Sequence, residues 1–148
     1  MWDVEATDEF REWYDGLTED QQDAVNAAVD LLGERGPALG RPVVGEIVGS
    51  AIKNMKELIP PVRNVRILFV FDPRRTAILL VGGDKTGRWQ EWYDEVIPIA
   101  EELYARYLEE LRQEGILPLV PSRKGDGSKG PLRGKDGLRS GAKHAAVA

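Results

Sequence analysis

The sequence predicts a small α+β domain in which helices pack on a mostly antiparallel sheet. Two amphipathic helical stretches come first, and three apolar β-like runs follow them between residues 51 and 84. Short turns containing proline separate these runs, and such turns join antiparallel strands. A chain of 148 residues with 42% hydrophobic residues can bury one core of ordinary size. The predicted order of elements is β-α-α-β-β-β-α.

The N-terminal part is predicted to be a short strand followed by a helical hairpin. Residues 2–7 (WDVEAT) form the strand, and Thr7 caps a helix whose apolar residues recur at helical spacing: Phe10, Trp13, Tyr14 and Leu17. Thr18 and Gln21 have the spacing of a capping box and therefore start a second helix. The apolar stripe of that helix is Val25, Ala28, Val29 and Leu32.

The three β-like runs are residues 51–59, 65–72 and 76–84, after a Gly- and Pro-rich stretch, 36–50, that we expect to be a loop. Alternate positions of 65–72 are apolar in both phases, so both faces of this strand should be covered. The helical hairpin can cover one face. The other face needs the C-terminal helix, a partner chain or a ligand.

The C-terminal half of the chain divides into a helix and a tail. The helix runs from Trp89 to about Glu114, and Pro98 should kink or split it. We assign residues 1–115 to one domain. Residues 116–148 are a basic tail rich in Gly, Lys and Ser, and we expect it to be disordered because it has few large apolar side chains.

The charge of the chain is uneven, and this limits its partners. Residues 1–121 hold 13 Lys/Arg and 23 Asp/Glu, a net charge of −10, whereas residues 122–148 hold 7 and 2. Such an acidic body is a poor non-specific ligand for nucleic acid, so RNA binding would require a local group of cations. Without cysteine the chain has no disulfide or thiolate chemistry, and its one histidine, His144, lies in the tail. No apolar run is long enough for a membrane span.

Two short segments carry lysines that the pattern alone leaves ambiguous. In KNMKELIPP (53–61), Lys56 is either a solvated edge-strand lysine or a cation held for a purpose, and spacing favours the edge strand. In GGDKTG (82–87), the glycines either end a strand or let a substrate backbone approach closely. The aromatic cluster WQEWY (89–93) favours packing over stacking on bases.

Several segments in unbroken order resemble one toxin family. They are WDVEATDEF, RGPALGRPVVGEIVGS, KNMKEL, RILFVFDPRRTAILLVGGDKTG and WYDEVIPIAEELY, which together cover residues 1 to about 112. In combination they are similar to the HigB-type branch of the RelE superfamily. The resemblance implies a RelE-like fold with the helical hairpin and the C-terminal helix packed on the sheet.

The resemblance also implies a function. The chain would be the toxin of a type II toxin–antitoxin pair, a cytoplasmic and metal-independent endoribonuclease that cuts mRNA on the ribosome. The ribose 2′-OH of the substrate would attack the adjacent phosphate, leaving a 2′,3′-cyclic phosphate and a 5′-OH. The implied partners are a helix-turn-helix antitoxin, the ribosome and mRNA. No cofactor, metal or membrane is implied.

The roles implied for single residues all belong to polar side chains. Lys56, Arg66 and Lys85 match the catalytic cations, with Lys56 the first choice for proton transfer, and the predicted RNA contacts are Asn54, Arg63 and Arg88. The sequence departs from the family at Ile59, where this branch has an arginine after KEL. Three interpretations stay open: Arg63 or Arg88 replaces that cation, the toxin is weakened or inactive, or the change is a deliberate attenuation that allows expression.

Two alternatives to an active nuclease therefore stay open. One is a module of the same fold that binds the antitoxin without cleaving RNA, or that poisons gyrase. The other is a plain interaction domain whose cations are solvated.

Overall fold

A computed structural model describes residues 1–118 of the chain. Five strands and three α-helices form in the order β1 (Val4–Ala6), α1 (Asp8–Asp15), α2 (Glu19–Arg35), β2 (Val44–Glu46), β3 (Lys56–Leu58), β4 (Val65–Phe71), β5 (Ala77–Asp84) and α3 (Trp89–Gln113). The sheet order is β1-β5-β4-β3-β2, with β1 parallel to β5 and the other pairs antiparallel. The predicted α+β class is confirmed.

The two caps predicted from the sequence begin the helical hairpin. Phe10 N donates to Thr7 Oγ1 at 3.0 Å, and the Thr7 hydroxyl itself donates to the Leu80 carbonyl at 2.7 Å, which ties the start of α1 to β5. At α2 the capping box is complete, because Gln21 N donates to Thr18 Oγ1 and Thr18 N donates to Gln21 Oε1. Both helix starts are thus capped by residues close in sequence, and the first is also tied to the sheet.

Both faces of the sheet are covered, as the apolar pattern of β4 predicts. On one face Phe10, Val25 and Leu32 of the helical hairpin pack on a sheet surface that includes Ile67 and Phe69. On the other face α3 packs through a stripe opposite Leu68, Val70 and Ile78, and its buried residues are Trp92, Val96, Ile97, Ala100, Leu103, Tyr107 and Leu111. The C-terminal helix is therefore the second cover. We call these the hairpin face and the α3 face.

Two predictions about the strands were wrong in detail. The predicted loop 36–50 contains β2, which pairs with β3 in the register Val44↔Leu58, and the predicted strand 51–59 is shortened to Lys56–Leu58. The missing part of that strand is a loop held on α3, since Glu101 Oε2 accepts hydrogen bonds from Ser50 Oγ at 2.8 Å and from Ala51 N at 2.7 Å. These long-range contacts override the local apolar pattern.

Of the two effects predicted for Pro98, a kink or a split of the C-terminal helix, the split was wrong. The helix runs from Trp89 to Gln113 with Pro98 inside it, and Pro98 is exposed. Ile97 and Ala100, on either side of it, are buried against the sheet, so packing holds both halves in one helix.

Packing continues beyond the helix to Ile116, which is 4% exposed, one residue past the predicted domain boundary. Most of the predicted tail, residues 119–148, lies outside the described residues. Within residues 1–118, no helix is both long and apolar enough to cross a membrane.

Candidate functional site: a cation cluster beside the C-terminal helix

Strand register brings three polar positions to one end of the α3 face. Glu57 of β3 pairs with Leu68, whose side chain lies in the core under α3, and Arg66 of β4 precedes Leu68 by two residues. Arg66 pairs with Gly83 of β5, two residues before Lys85. Because residues two apart on a strand point to the same side, Glu57, Arg66 and Lys85 share the α3 face.

Glu57 is a nearly buried carboxylate, 7% exposed, with contacts from two different elements. Its Oε1 accepts a hydrogen bond from the Tyr93 hydroxyl of α3 at 2.7 Å and lies 3.7 Å from Arg66 Nε. Arg66 also donates from Nη1 to its neighbour's carbonyl, Val65 O, at 2.8 Å. Burial, followed by the hydrogen bond to Glu57, raises the pKa of Tyr93 to about 12, so Tyr93 acts as a donor at neutral pH.

Lys85 is held against aromatic rings. It is 6% exposed, and its Nζ lies 3.9 Å from the centroid of the Trp89 ring and 5.5 Å from that of Tyr93. Within the part of the chain that the structure describes, no hydrogen bond or ion pair of this ammonium is recorded. Burial, and secondly the charge of Arg66, lowers the pKa of Lys85, while the charge of Glu57 acts in the opposite direction.

The glycines of GGDK are needed by two tryptophans. A Cβ on Gly82 would lie 2.3 Å from the Trp13 ring on the hairpin face, and a Cβ on Gly83 would lie 2.6 Å from Trp92 Nε1 on the α3 face. Gly82 and Gly83 therefore do not let a substrate backbone approach, because protein side chains occupy the space that it would need. Trp92 in turn fixes the start of α3 over β5, which places Trp89 and Tyr93 around Lys85.

Glu57, Tyr93 and Arg41 were missed by the sequence analysis. A Cβ on Gly45, which pairs with Glu57, would lie 2.9 Å from Arg41 Nη2 and 3.3 Å from Glu57 Oε2. The Arg41 guanidinium and the Glu57 carboxylate therefore both border the space over this glycine. Alternation along KEL, with Glu57 in the phase opposite to Lys56, was the one sequence signal that pointed to Glu57. We call Glu57, Arg66, Lys85 and Tyr93 the outer cluster, with Arg41 at its edge.

The structure separates two predicted site residues from this cluster. Lys56 pairs with Phe69 and shares the hairpin face with Leu58, and its Nζ forms an ion pair with Glu46 Oε2 at 3.0 Å. Asn54 donates to the Phe71 carbonyl at 3.4 Å. Phe71 lies at the opposite end of β4 from Arg66, about 17 Å along the strand. Neither residue lies with Arg66 and Lys85, and their functional roles stay predictions.

The remaining predicted residues lie near the outer cluster or at its margin. Arg88 is the N-cap residue of α3 and pairs with Glu95 at 2.6 Å, whereas Arg63 is exposed in the turn before β4. Ile59 N donates to Val43 O at 2.8 Å, so the pairing of β3 with β2 extends one residue past Leu58. Continuing the β3–β4 register by one residue places Ile59 opposite Arg66, on the α3 face. The position at which the resemblance implies an arginine is thus next to the outer cluster.

A second ionic cluster lies deeper on the same face. Arg74 contacts Glu5 at 2.9 and 3.3 Å and Asp72 at 2.6 Å, and the Tyr107 hydroxyl donates to Glu5 Oε1 at 2.5 Å. Asp72 Oδ1 also accepts from the backbone N–H groups of Arg74 and Thr76, as expected of a turn residue. Burial raises the pKa of Asp72 although Arg74 opposes this. We call Glu5, Asp72, Arg74 and Tyr107 the inner cluster.

Comparison with known proteins gives concordant results. The family model described as "Phage derived protein Gp49-like (DUF891)" matches residues 12–105. The chain is 51% identical over 96 residues to a protein of Mycobacterium tuberculosis (strain ATCC 25618 / H37Rv) named "Putative toxin HigB3", a match over 65% of this chain and 84% of that one. It is 50% identical over 99 residues to "Putative toxin HigB2" of the same strain, over 65% of this chain and 49% of that one, so the match spans about half of the second relative.

Proposed function

We propose a reaction for this chain, which belongs to the Gp49-like family of HigB-type toxins. As the toxin of a toxin–antitoxin system, it would cut mRNA on translating ribosomes without a metal. The substrate's own 2′-OH would be the nucleophile. The observation that carries the proposal is the outer cluster, where Arg66 and Lys85 converge beside one buried carboxylate at the end of the α3 face.

The charges of the outer cluster suit a phosphate undergoing substitution. When the 2′-oxygen bonds to phosphorus, the phosphorane gains negative charge before the bond to the 5′-oxygen breaks. A fixed guanidinium stabilises that charge, and Arg66 is held by Glu57 and by the Val65 carbonyl. We therefore assign the non-bridging phosphate oxygens to Arg66.

Lys85 is the residue on this face that suits proton transfer. Its pKa is lowered by burial and by Arg66, toward the range in which an amine exchanges protons at neutral pH. In its ammonium form Lys85 would donate a proton to the departing 5′-oxygen, while the proton released by the 2′-OH would pass to solvent. Lys56, the first choice from the sequence, faces the other side and is not assigned a step.

The partners and location proposed from the family follow the same reasoning. The inhibitor would be a helix-turn-helix antitoxin, and the toxin would act in the cytoplasm, where ribosomes present single-stranded mRNA. The acidic body, −10 over residues 1–121, would disfavour free RNA and leave presentation to the ribosome.

A weakened toxin is a second candidate, because Ile59 stands opposite Arg66 where the resemblance implies an arginine. An isoleucine cannot hold a phosphate, and the outer cluster would then have one cation fewer than the resemblance implies. In this case the chain keeps the fold and the contact with the antitoxin but cleaves slowly or not at all.

One experiment tests both candidates. Wild type, Arg66→Ala, Ile59→Arg and the control Arg106→Ala are induced in cells, and the 5′-OH ends of mRNA are mapped with and without a functional start codon in a reporter. Arg106 is an arginine on α3 whose side chain is 55% exposed, outside the outer cluster. We expect translation-dependent cuts from wild type and Arg106→Ala, and about 10²–10³-fold fewer from Arg66→Ala.

The other outcomes are decisive as well. Cuts from Ile59→Arg but not from wild type would establish the weakened toxin. An absence of cuts from both would contradict the nuclease, and cuts that persist in Arg66→Ala would contradict the assignment of the site. Co-expression with a candidate antitoxin that restores growth and co-purifies with the chain would support the proposed partner.

A further inference from the structure

Trp89 is the one aromatic side chain within residues 1–118 that is classed as exposed. It is 57% exposed, whereas Trp92, three residues later, is 4% exposed beneath the same helix. Placing a tryptophan in water leaves a large apolar surface uncovered, and its position beside a group of cations sets it apart from an isolated surface residue. The exposed Trp89 ring is therefore a candidate binding surface.

The ring is held in place from one side only. Lys85 Nζ lies 3.9 Å from its centroid, and Lys85 itself is fixed by its backbone, because Lys85 N donates to Asn64 O at 2.9 Å and Arg88 N donates to Lys85 O at 2.9 Å. Trp89 is 57% exposed although an ammonium lies over its ring, so its accessible area is assigned to the other ring face. Trp89 thus presents a flat, preorganised aromatic surface next to Lys85 and Arg66.

An unpaired nucleobase is the ligand that fits this surface. Every base has a flat π face, and proteins that bind single strands combine aromatic stacking surfaces with cations that contact the backbone. Bases within a duplex are already stacked on both faces and cannot meet a protein ring. We propose that the open face of Trp89 stacks on a base of single-stranded RNA whose phosphate lies against Arg66 and Lys85, an inference that rests on the proposed function.

A double-mutant cycle between ring and base tests this proposal. The proteins are wild type, Trp89→Ala, Trp89→Phe and the control Ile99→Ala, an apolar residue of the same helix that is 48% exposed about three turns away. The probe is a short fluorescent single-stranded RNA that contains one 2′-deoxynucleotide at the cleavage position, so that it cannot react. A matched series carries an abasic site at each position in turn, and binding is measured by anisotropy.

We expect Trp89→Ala to weaken binding of the intact RNA about 5- to 150-fold, the range measured for loss of one base–aromatic stack. Trp89→Phe should lose less, and Ile99→Ala should bind as wild type does. At one abasic position, wild type should bind as weakly as Trp89→Ala binds intact RNA, and the two losses should not add.

Equal weakening of intact and abasic RNA by Trp89→Ala would overturn the proposal, because the ring would then only support Lys85. Unchanged binding, no binding by wild type at millimolar RNA, or an effect of Trp89→Ala on an antitoxin alone would overturn it too. The proposed reaction fails separately. A ring–base coupling without cuts in cells would support the stacking proposal and contradict the nuclease. Arg66-dependent cuts without such a coupling would support the nuclease and contradict the stacking proposal.

Discussion

The inner and outer clusters lie on the same face of the sheet, and they differ in how their charges are matched. In the inner cluster two carboxylates, Glu5 and Asp72, contact the single guanidinium of Arg74 at hydrogen-bond distance. In the outer cluster one carboxylate, Glu57, lies 3.7 Å from Arg66, and the Lys85 ammonium lies against aromatic rings with no carboxylate at ion-pair distance among the described residues. Buried charges stabilise a fold when their partners satisfy them, so the inner cluster is structural. The excess positive charge of the outer cluster suits an anion from outside.

The two clusters also join different elements. Arg74 lies in the turn between β4 and β5, and Glu5 and Tyr107 connect β1 to α3, so the inner cluster fastens one end of the sheet to the helix. The outer cluster lies at the other end of β4, where Arg66 begins the strand and α3 starts. One face of the domain thus has an anchored end and an end left available for binding.

The largest expected effect is on stability, and it should separate the clusters. Arg74→Met leaves Glu5 and Asp72 without this guanidinium in a buried setting, so we expect the free energy of unfolding to fall by about 3–5 kcal/mol. The matched change Arg66→Met removes a contact of 3.7 Å and leaves the Tyr93 hydroxyl bonded to Glu57, so it should cost less, about 1–2 kcal/mol. Urea denaturation measures both, and similar losses would contradict the distinction.

A smaller effect is expected on anion binding, and of the two carboxylates Glu57 and Glu5 only the first should show it. Glu57→Gln removes the negative charge beside Arg66 and Lys85, so single-stranded RNA should bind several-fold to about tenfold more tightly, with a steeper dependence on salt. Glu5→Gln in the inner cluster should leave RNA binding unchanged in the molecules that stay folded. Salt titrations of RNA affinity would contradict the comparison if Glu57→Gln bound more weakly.

The smallest expected effect is a dependence of stability on pH at Lys85. Because the folded-state pKa of Lys85 is below its ordinary value, the unfolded chain binds more protons between the two values, and the stability of wild type should rise with pH across that window. Below this pH window, the cost of burying the ammonium lowers the free energy of unfolding by its full amount. The melting temperature of Lys85→Met, relative to that of wild type, should therefore fall as the pH rises toward about 10.5. A difference that is independent of pH would contradict the lowered pKa.

Much of the fold could be predicted because local chemistry determines it. Thr7 and Thr18 cap the helices where the sequence places them, and the two apolar phases of β4 correctly required a cover on each face. β2 could not be predicted, because three residues within a Gly- and Pro-rich stretch have no period of their own and become a strand only by pairing with β3.

The sequence by itself determined the helices and the two long strands, the family and which cations are available: Arg66 and Lys85 were named from it. The tertiary structure alone decided which of them meet. Register sends Lys56 to the hairpin face and brings Glu57, one residue later, beside Arg66, because successive side chains of a strand point to opposite sides. It also showed that Tyr93 and Trp89 enclose Lys85, since contacts between α3 and β5 depend on how the helix docks, which no local pattern encodes.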